Sequence, residues 1–408
     1  MLIFSQKNSW KKLLHQGLFQ TLSLVMLFAL HLASSPASAG NHTGMQKDEL
    51  PVIRAIQVDL DYVYDPDPGQ QKANLDLLVR RVRRLGINTI FLQAFADPDG
   101  NGIAESLYFA NRFLPLREDL FAPAAQALRQ NGVAVYGWLP LLAYKLPGQN
   151  NELYVRRIHD SGSPVQPLNE YLRLSPFNSQ AKRIIEGIYR DFAQQTAIDG
   201  ILFHDDGILS DFEDSSNAAL RQYGQAGFPS DIATIRNSRA TMRKWSRYKT
   251  NYLIDFSLSL LEIIRQQQPG VRSARNIFAG PVLQPESEEW FAQSLPLFLQ
   301  AYDYTALMAM PFMEKAAEPD RWLEQLAWAA LDPQKKNNRL IFELQTKNWL
   351  TNKPIPADVL QRHILLLSQM GVTSFAFYPD DFHNDMPPAD MIKSCLSSPA
   401  TCAEEVAP

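Results

Sequence analysis

An apolar run, Ile201-Leu202-Phe203, breaks into His204-Asp205-Asp206-Gly207 and continues through Asp211, Glu213 and Asp214. From Asp191 to Leu220 there are seven acidic residues and no Lys or Arg. Carboxylates crowded without a local counter-charge repel one another, and that repulsion raises the pKa of at least one of them. Glycosidic cleavage needs such a group: a carboxyl still protonated near neutrality hands its proton to the leaving oxygen. Acidic loops are commonly solvated side chains and helix caps. What sets this one apart is its place at the end of a fully apolar segment. If that segment stays extended through Asp206, then His204 and Asp206 face one way and Asp205 the other, so the two aspartates hold different jobs.

A second polar set lies in Gln57-Val58-Asp59-Leu60-Asp61, whose alternation places Gln57, Asp59 and Asp61 on one face. They either line a pocket or are satisfied by neighbouring backbone. Asp97-Pro98 and Asp99-Gly100 read as turn chemistry. Flat rings can stack on the C–H faces of sugars, and Trp138, Tyr171, Trp290, Trp349 and Tyr378 are candidates, each with a core role as its alternative. Trp349 stands out, since it follows Gln345 and Lys347 just past an apolar run. Neither an H-E-x-x-H metal motif nor a G-x-S-x-G nucleophile elbow occurs, so neither a metal nor a cofactor is expected.

These residues are positioned by eight short β-branched or aromatic runs: Ala55–Val63, Thr89–Phe95, Val133–Leu139, Gly200–Asp206, Asn276–Ala279, Tyr304–Met310, Leu340–Gln345 and Thr373–Tyr378. Between them lie amphipathic stretches such as Gln71–Leu85, Ala122–Gln130 and Ile184–Ala193. Several runs follow a helix that ends in glycine, as in Leu85-Gly86-Ile87 and Met370-Gly371-Val372. Strands alternating with helices specify an α/β protein with a parallel sheet, and eight such pairs predict a (β/α)8 TIM-type barrel forming a single catalytic domain. A doubly wound sheet is the alternative, but no Gly-rich phosphate loop opens the first helix. In the barrel, active sites collect at the C-terminal ends of the strands, where the polar residues above fall.

Of the 408 residues, 46% are apolar and 20% charged, a globular composition that excludes a disordered or collagenous chain. Residues 1–39 read as a cleaved secretory signal peptide: Lys7, Lys11 and Lys12 precede an apolar stretch from Leu18 to Leu32, and Ala37-Ser38-Ala39 closes it. No Cys follows that would carry a lipid, so no stable membrane anchor is expected after cleavage, and the location is periplasmic or secreted. Residues 40–51 form a linker, 52–390 the barrel and 391–408 a C-terminal tail, in which Cys395 and Cys402 would allow a small disulfide loop. Cleavage removes three of 39 basic residues and no acidic one, leaving 36 against 43 acidic and a net charge of −7. Nucleic acid is thereby an unlikely partner, and a neutral or cationic ligand is natural.

Three blocks carry a resemblance: Arg54-Ala55-Ile56-Gln57-Val58-Asp59-Leu60-Asp61-Tyr62-Val63-Tyr64-Asp65, the stretch from Asn88 to Pro98, and Phe203-His204-Asp205-Asp206-Gly207-Ile208-Leu209-Ser210-Asp211-Phe212-Glu213-Asp214. They resemble the C-terminal glycoside hydrolase domain of the PgaB family, over nearly the whole mature chain. The resemblance implies a barrel that binds and internally cleaves partially deacetylated poly-β-1,6-N-acetyl-D-glucosamine (PNAG), a biofilm exopolysaccharide, with other export proteins as partners. It places Asp211 as the carboxylate on which cleavage depends, Asp205 and Asp206 as acidic groove residues, and Tyr171, Trp290 and Trp349 as sugar-stacking positions. His204, Asp59, Asp61 and Lys347 join them as substrate-binding candidates. PgaB proteins carry an N-terminal deacetylase domain, whereas about a dozen residues separate the expected cleavage site from the first strand, so deacetylase activity is not predicted.

Charge agrees with that substrate. A deacetylated glucosamine bears an ammonium, and a carboxylate about 4 Å away gains roughly 1 kcal/mol in water and about 4 kcal/mol at an effective dielectric near 20. The rival expectation is a non-catalytic module that guides the polymer through the same groove.

Overall fold

The computed structural model describes residues 50–148, 150–158, 164–165, 172–332, 334, 337–398 and 402. The expected signal peptide, most of the linker, Tyr171 and half of the tail lie outside these. Eight parallel strands, β1 (Arg54–Val58), β2 (Thr89–Gln93), β3 (Ala134–Leu139), β4 (Gly200–Phe203), β5 (Arg272–Ile277), β6 (Tyr304–Ala309), β7 (Leu340–Gln345) and β8 (Ser374–Tyr378), close into a barrel. Each pairs with its neighbours in sequence, and Ala55 of β1 sits opposite both Thr89 of β2 and Ala376 of β8, which seals the ring.

One major helix follows each strand: α1 (Pro68–Leu85), α2 (Phe121–Gln130), α3 (Ser179–Ala193), α4 (Arg239–Arg265), α5 (Leu295–Ala301), α6 (Pro319–Ala330), α7 (Ala357–Gln369) and α8 (Ala389–Ser397). This is the (β/α)8 barrel that the alternating runs predict. Local chemistry sets the helix ends. Asp67 caps α1 by accepting from the Gln70 amide at 2.8 Å, proline opens the helix, and Gly86 ends it at a left-handed φ of 68°. Strand residues are buried on both faces, as helices outside and side chains inside require. Gly200 is needed for packing: a Cβ there would stand 2.1 Å from the Tyr136 ring.

Three differences from the sequence reading bear on the site. β1 stops at Val58, and Leu60–Tyr62 form a 3-10 turn, so Asp61 leaves the face shared by Gln57 and Asp59. β4 stops at Phe203, short of the expected Asp206. β5 begins at Arg272, because buried Ser273, Arg275 and Asn276 conceal half of it from an apolar pattern. At the C-terminal edge Cys395 of α8 is disulfide-bonded to Cys402. No helix among the described residues is long and apolar enough to cross a membrane.

Candidate active site

The end of β4 builds one half of the site. One more rung follows Phe203, the His204 amide donating to the Leu139 carbonyl at 3.0 Å, and then the chain turns. That turn carries Asp206 inward, where it is fully buried and accepts from the backbone amides of Leu141 (2.8 Å), Leu142 and Ala143 (2.6 Å). Asp206 therefore ties the β3 loop to the β4 loop, and its oxygens are spent on backbone. The expectation of a groove-lining, catalytic Asp206 is corrected, because the strand ends before the alternation that would have pointed it at substrate. His204 packs against the rings of Phe95 and Trp138, with centroids 5.8 and 5.2 Å away. Its Nε2 lies 3.3 Å from Asp205 Oδ1, and its buried Nδ1 has no hydrogen-bond partner. Asp205 keeps partial exposure beside it.

The acidic loop that follows lacks cations of its own, but the fold brings four to it. Arg275 of β5 donates to the Gly207 carbonyl at 3.0 Å, and a Cβ at Gly207 would sit 2.1 Å from the same guanidinium. Arg173 reaches the Ile208 carbonyl and the Glu213 carboxylate (2.9 Å). Lys249 of α4 donates to the carbonyls of Leu209 (3.3 Å), Ser210 and Glu213 (2.9 Å). Arg236 meets Asp211 Oδ2 through Nε at 3.1 Å and Nη2 at 3.0 Å.

The loop acids thereby separate by function. Asp214 is fully buried and accepts from the Ser175 hydroxyl (2.6 Å), the Ser216 hydroxyl (3.0 Å) and the amides of Arg156 (3.0 Å) and Ser216 (2.8 Å). Burial pushes Glu213 up, but Arg173 and the Ser210 amide outweigh it and hold the carboxyl below its ordinary value. Asp211 is partly exposed, and Arg236 engages only its Oδ2; burial raises this carboxyl despite the pull of Arg236 and Lys249.

The other half comes from β1, β2 and β7. Asp61 accepts from the Tyr108 hydroxyl at 2.6 Å and the Asp97 amide at 2.8 Å, and burial raises its carboxyl. Asp97 performs the expected turn chemistry, accepting from the amides of Asn101 and Gly102 at 2.9 Å each. Its own burial nonetheless lifts it to about 6. Asp59 has a buried Oδ1 with no partner, and burial, reinforced by Asp61 and Asp97, lifts it to about 8 against Tyr378 and Lys347. Glu343, which sequence reasoning missed, is 1% exposed on β7 and accepts from Asn276 Nδ2 at 2.7 Å; burial, with Asp205 adding repulsion, takes it to about 8. A signal was present, since Glu343 is the charged residue in an otherwise apolar run.

Burial thus lifts Asp59 and Glu343 furthest, to about 8, and Asp97 to about 6. Buried Gln57, Gln93 and Asn276 add carbonyl oxygens without partners. Among the described residues no group of three or more His, Cys, Asp or Glu is arranged to hold a metal ion.

Aromatic residues complete the rim. Trp349 is half-buried with its ring 5.9 Å from that of Tyr378, and both pack on a floor of Phe278, Met308 and Met310 that also touches Ile208 and Phe291. Lys347 lies in a small two-stranded ribbon beside Trp349, electrostatically within reach of Asp59. Trp290 stands 36% exposed next to Glu289, whose carboxyl feels the charge of Asp211. Trp138 is 2% exposed and belongs to the core.

These carboxyls fix a pH dependence of stability. Asp59 and Glu343 have folded values of about 8, above their unfolded values, so the stability they contribute is complete below about pH 4 and is lost as pH rises through 8. The thermal midpoint of wild type is expected to fall between pH 6 and pH 9, and Glu343→Gln to flatten that slope. Scanning calorimetry across the range checks this, and an unchanged slope in the variant would mean that Glu343 is ionised throughout.

Comparison with known proteins agrees with this geometry. Residues 57–378 match the model of hypothetical glycosyl hydrolase family 13. The chain is 40% identical over 352 residues, 85% of its length, to the poly-beta-1,6-N-acetyl-D-glucosamine N-deacetylase of Escherichia coli strain K12, of which it spans about half (52%). It is 44% identical to the PgaB (BpsB) glycoside hydrolase domain from Bordetella bronchiseptica, covering 85% of this chain and 99% of that one with a TM-score of 0.80. A β-galactosidase from Rahnella, 11% identical with a TM-score of 0.57 over 87% of this chain and 57% of that one, shares the fold.

Proposed function

The chain belongs to hypothetical glycosyl hydrolase family 13 and is a PgaB-type glycoside hydrolase domain, and from that premise we propose that it is an endo-acting hydrolase of partially deacetylated PNAG in the periplasm. The carrying observation is the division of labour among the acids. Asp206 and Asp214 are consumed by backbone and hydroxyl donors, whereas Asp211 and Asp205 keep partly exposed carboxyls at the strand ends. Asp211 gives its proton to the glycosidic oxygen as the C1–O bond breaks, a water oxygen bonds to C1 in its place and releases a proton to solvent, and the neighbouring Arg236 stabilises the Asp211 carboxylate until it is reprotonated. Asp205 supports the positive charge that builds on the sugar. The partly exposed carboxyls of Asp59, Asp61, Asp97 and Asp205 near the ends of β1, β2 and β4 support preference for a polymer bearing ammonium groups. Trp349, Tyr378 and Trp290 offer apolar faces for neighbouring sugars.

Mass spectrometry of partially deacetylated PNAG digested by protein recovered from the periplasmic fraction tests this reading. A ladder of short oligosaccharides is expected, formed while polymer length collapses, with slower attack on the fully acetylated polymer. Binding without shortening would instead mark a guiding module, release of single sugars would rule out internal cleavage, and recovery only from cytoplasm or membrane would overturn the location.

A further inference from the structure

Lys249 is 0% exposed, an unusual setting for a lysine. It lies one turn beyond Trp245 on α4, with its Nζ over that indole at 3.5 Å. Its three acceptors, the carbonyls of Leu209, Ser210 and Glu213, bracket Asp211 on both sides. An ammonium has three hydrogens, one for each carbonyl; a neutral amine has two and turns its lone pair toward the third.

Building on the hydrolase reading, we propose that Lys249 is a positioning residue for Asp211: its threefold grip sets the curve of the 209–213 turn and so the place of the reacting carboxyl, and loss of the ammonium proton releases it. The acids facing it are Asp211, Glu213 and Asp214 from the loop, which favour the ammonium, while Arg173 opposes it; burial outweighs them and brings Lys249 down to about 7. The gripping form is therefore complete below about pH 7 and disappears as pH rises through that value. Arg275 holds the start of the same loop through the Gly207 carbonyl, and Arg173 spans it from the Ile208 carbonyl to the Glu213 carboxylate, whereas Lys249 grips the carbonyls on either side of Asp211.

The test is Lys249→Met assayed on partially deacetylated PNAG, together with a carbon-13 NMR titration of the Lys249 Cε in wild type. A displaced reacting group costs kcat rather than binding, so kcat is expected to fall about 30-fold with KM within about twofold. The fall in wild-type kcat near pH 7 is expected to be missing from the variant. A variant with wild-type kcat, or a loss that leaves the shape of the pH profile intact, overturns the proposal.

Should the variant not fold, the wild-type titration decides: a midpoint near pH 7 that coincides with the fall in kcat supports the grip, and an ammonium still protonated at pH 9 overturns it. Should wild type cleave no polymer at any pH, the hydrolase reading fails on its own. The grip is then judged by whether the Asp211 Cγ resonance steps at the Lys249 midpoint, and absence of that step overturns it.

Discussion

Asp211→Asn is expected to lower kcat on partially deacetylated PNAG by about a thousandfold, in the middle of the range for removal of a general acid, while changing polymer affinity by less than about threefold. Asparagine keeps the shape of the side chain, and its Oδ1 can still accept from Arg236, which now meets Asp211 at 3.0 and 3.1 Å. The loop keeps Arg173 and Arg275 as holders, on the Ile208 and Gly207 carbonyls and the Glu213 carboxylate, none of which involves Asp211. What the variant lacks is a proton to give. Initial rates and calorimetric binding on one polymer preparation separate the two effects. Cleavage at the wild-type rate would remove Asp211 from the chemistry, and attention would pass to Glu343, the protonated carboxyl nearest in kind. Since the acid works only while protonated, Asp211 adds a descending limb of its own, separate from that of Lys249 and retained in Lys249→Met, at a value which burial places above that of a free aspartate.

The barrel was legible because each of its eight strands leaves a mark that sequence can show: an apolar or β-branched run, and in several cases a glycine before it. β5 was half concealed since Ser273, Arg275 and Asn276 are polar, yet all three are buried. Arg275 is inside because it serves the Gly207 carbonyl, a need created by another strand and invisible in its own neighbourhood. The same holds for the acidic loop. Reading outward from Asp191 to Leu220 finds no cation, and the expectation of uncompensated repulsion follows; Arg173, Arg236, Lys249 and Arg275 arrive only through folding. Asp59 and Asp205 lie just past the ends of β1 and β4, and Asp211 on the loop that follows β4, the positions from which the sequence reading picked them. Which acids are spent on backbone, as Asp206 is, and which stay partly exposed, as Asp205 and Asp211 do, depended on burial, which residue type does not encode. Glu343 shows the limit most clearly: a lone acid in a strand reads as an interruption until Asn276, on a strand 67 residues earlier, is seen to hold it.

Asp206→Ala is expected to destabilise the fold by about 4 kcal/mol, within the range for removing one partner of a buried charged hydrogen-bond set, and this separates an architectural acid from a reacting one. The lost carboxylate strands the amides of Leu141, Leu142 and Ala143 beneath the barrel mouth, where no solvent replaces it, since all three residues are buried. A small cavity adds to the cost. Asp206→Asn is milder, because one amide oxygen can serve part of the set but its NH2 group meets donors. Chemical denaturation of both variants beside Asp211→Asn gives the ordering: Asp206→Ala lowest, Asp206→Asn between, and Asp211→Asn within about 1 kcal/mol of wild type, as suits a partly exposed side chain. Residual activity of folded Asp206→Asn follows from the same geometry, for the residue reaches substrate only through the loops it joins. A stable Asp206→Ala protein with full folding free energy and no cleavage would reverse the assignment and return Asp206 to the substrate groove.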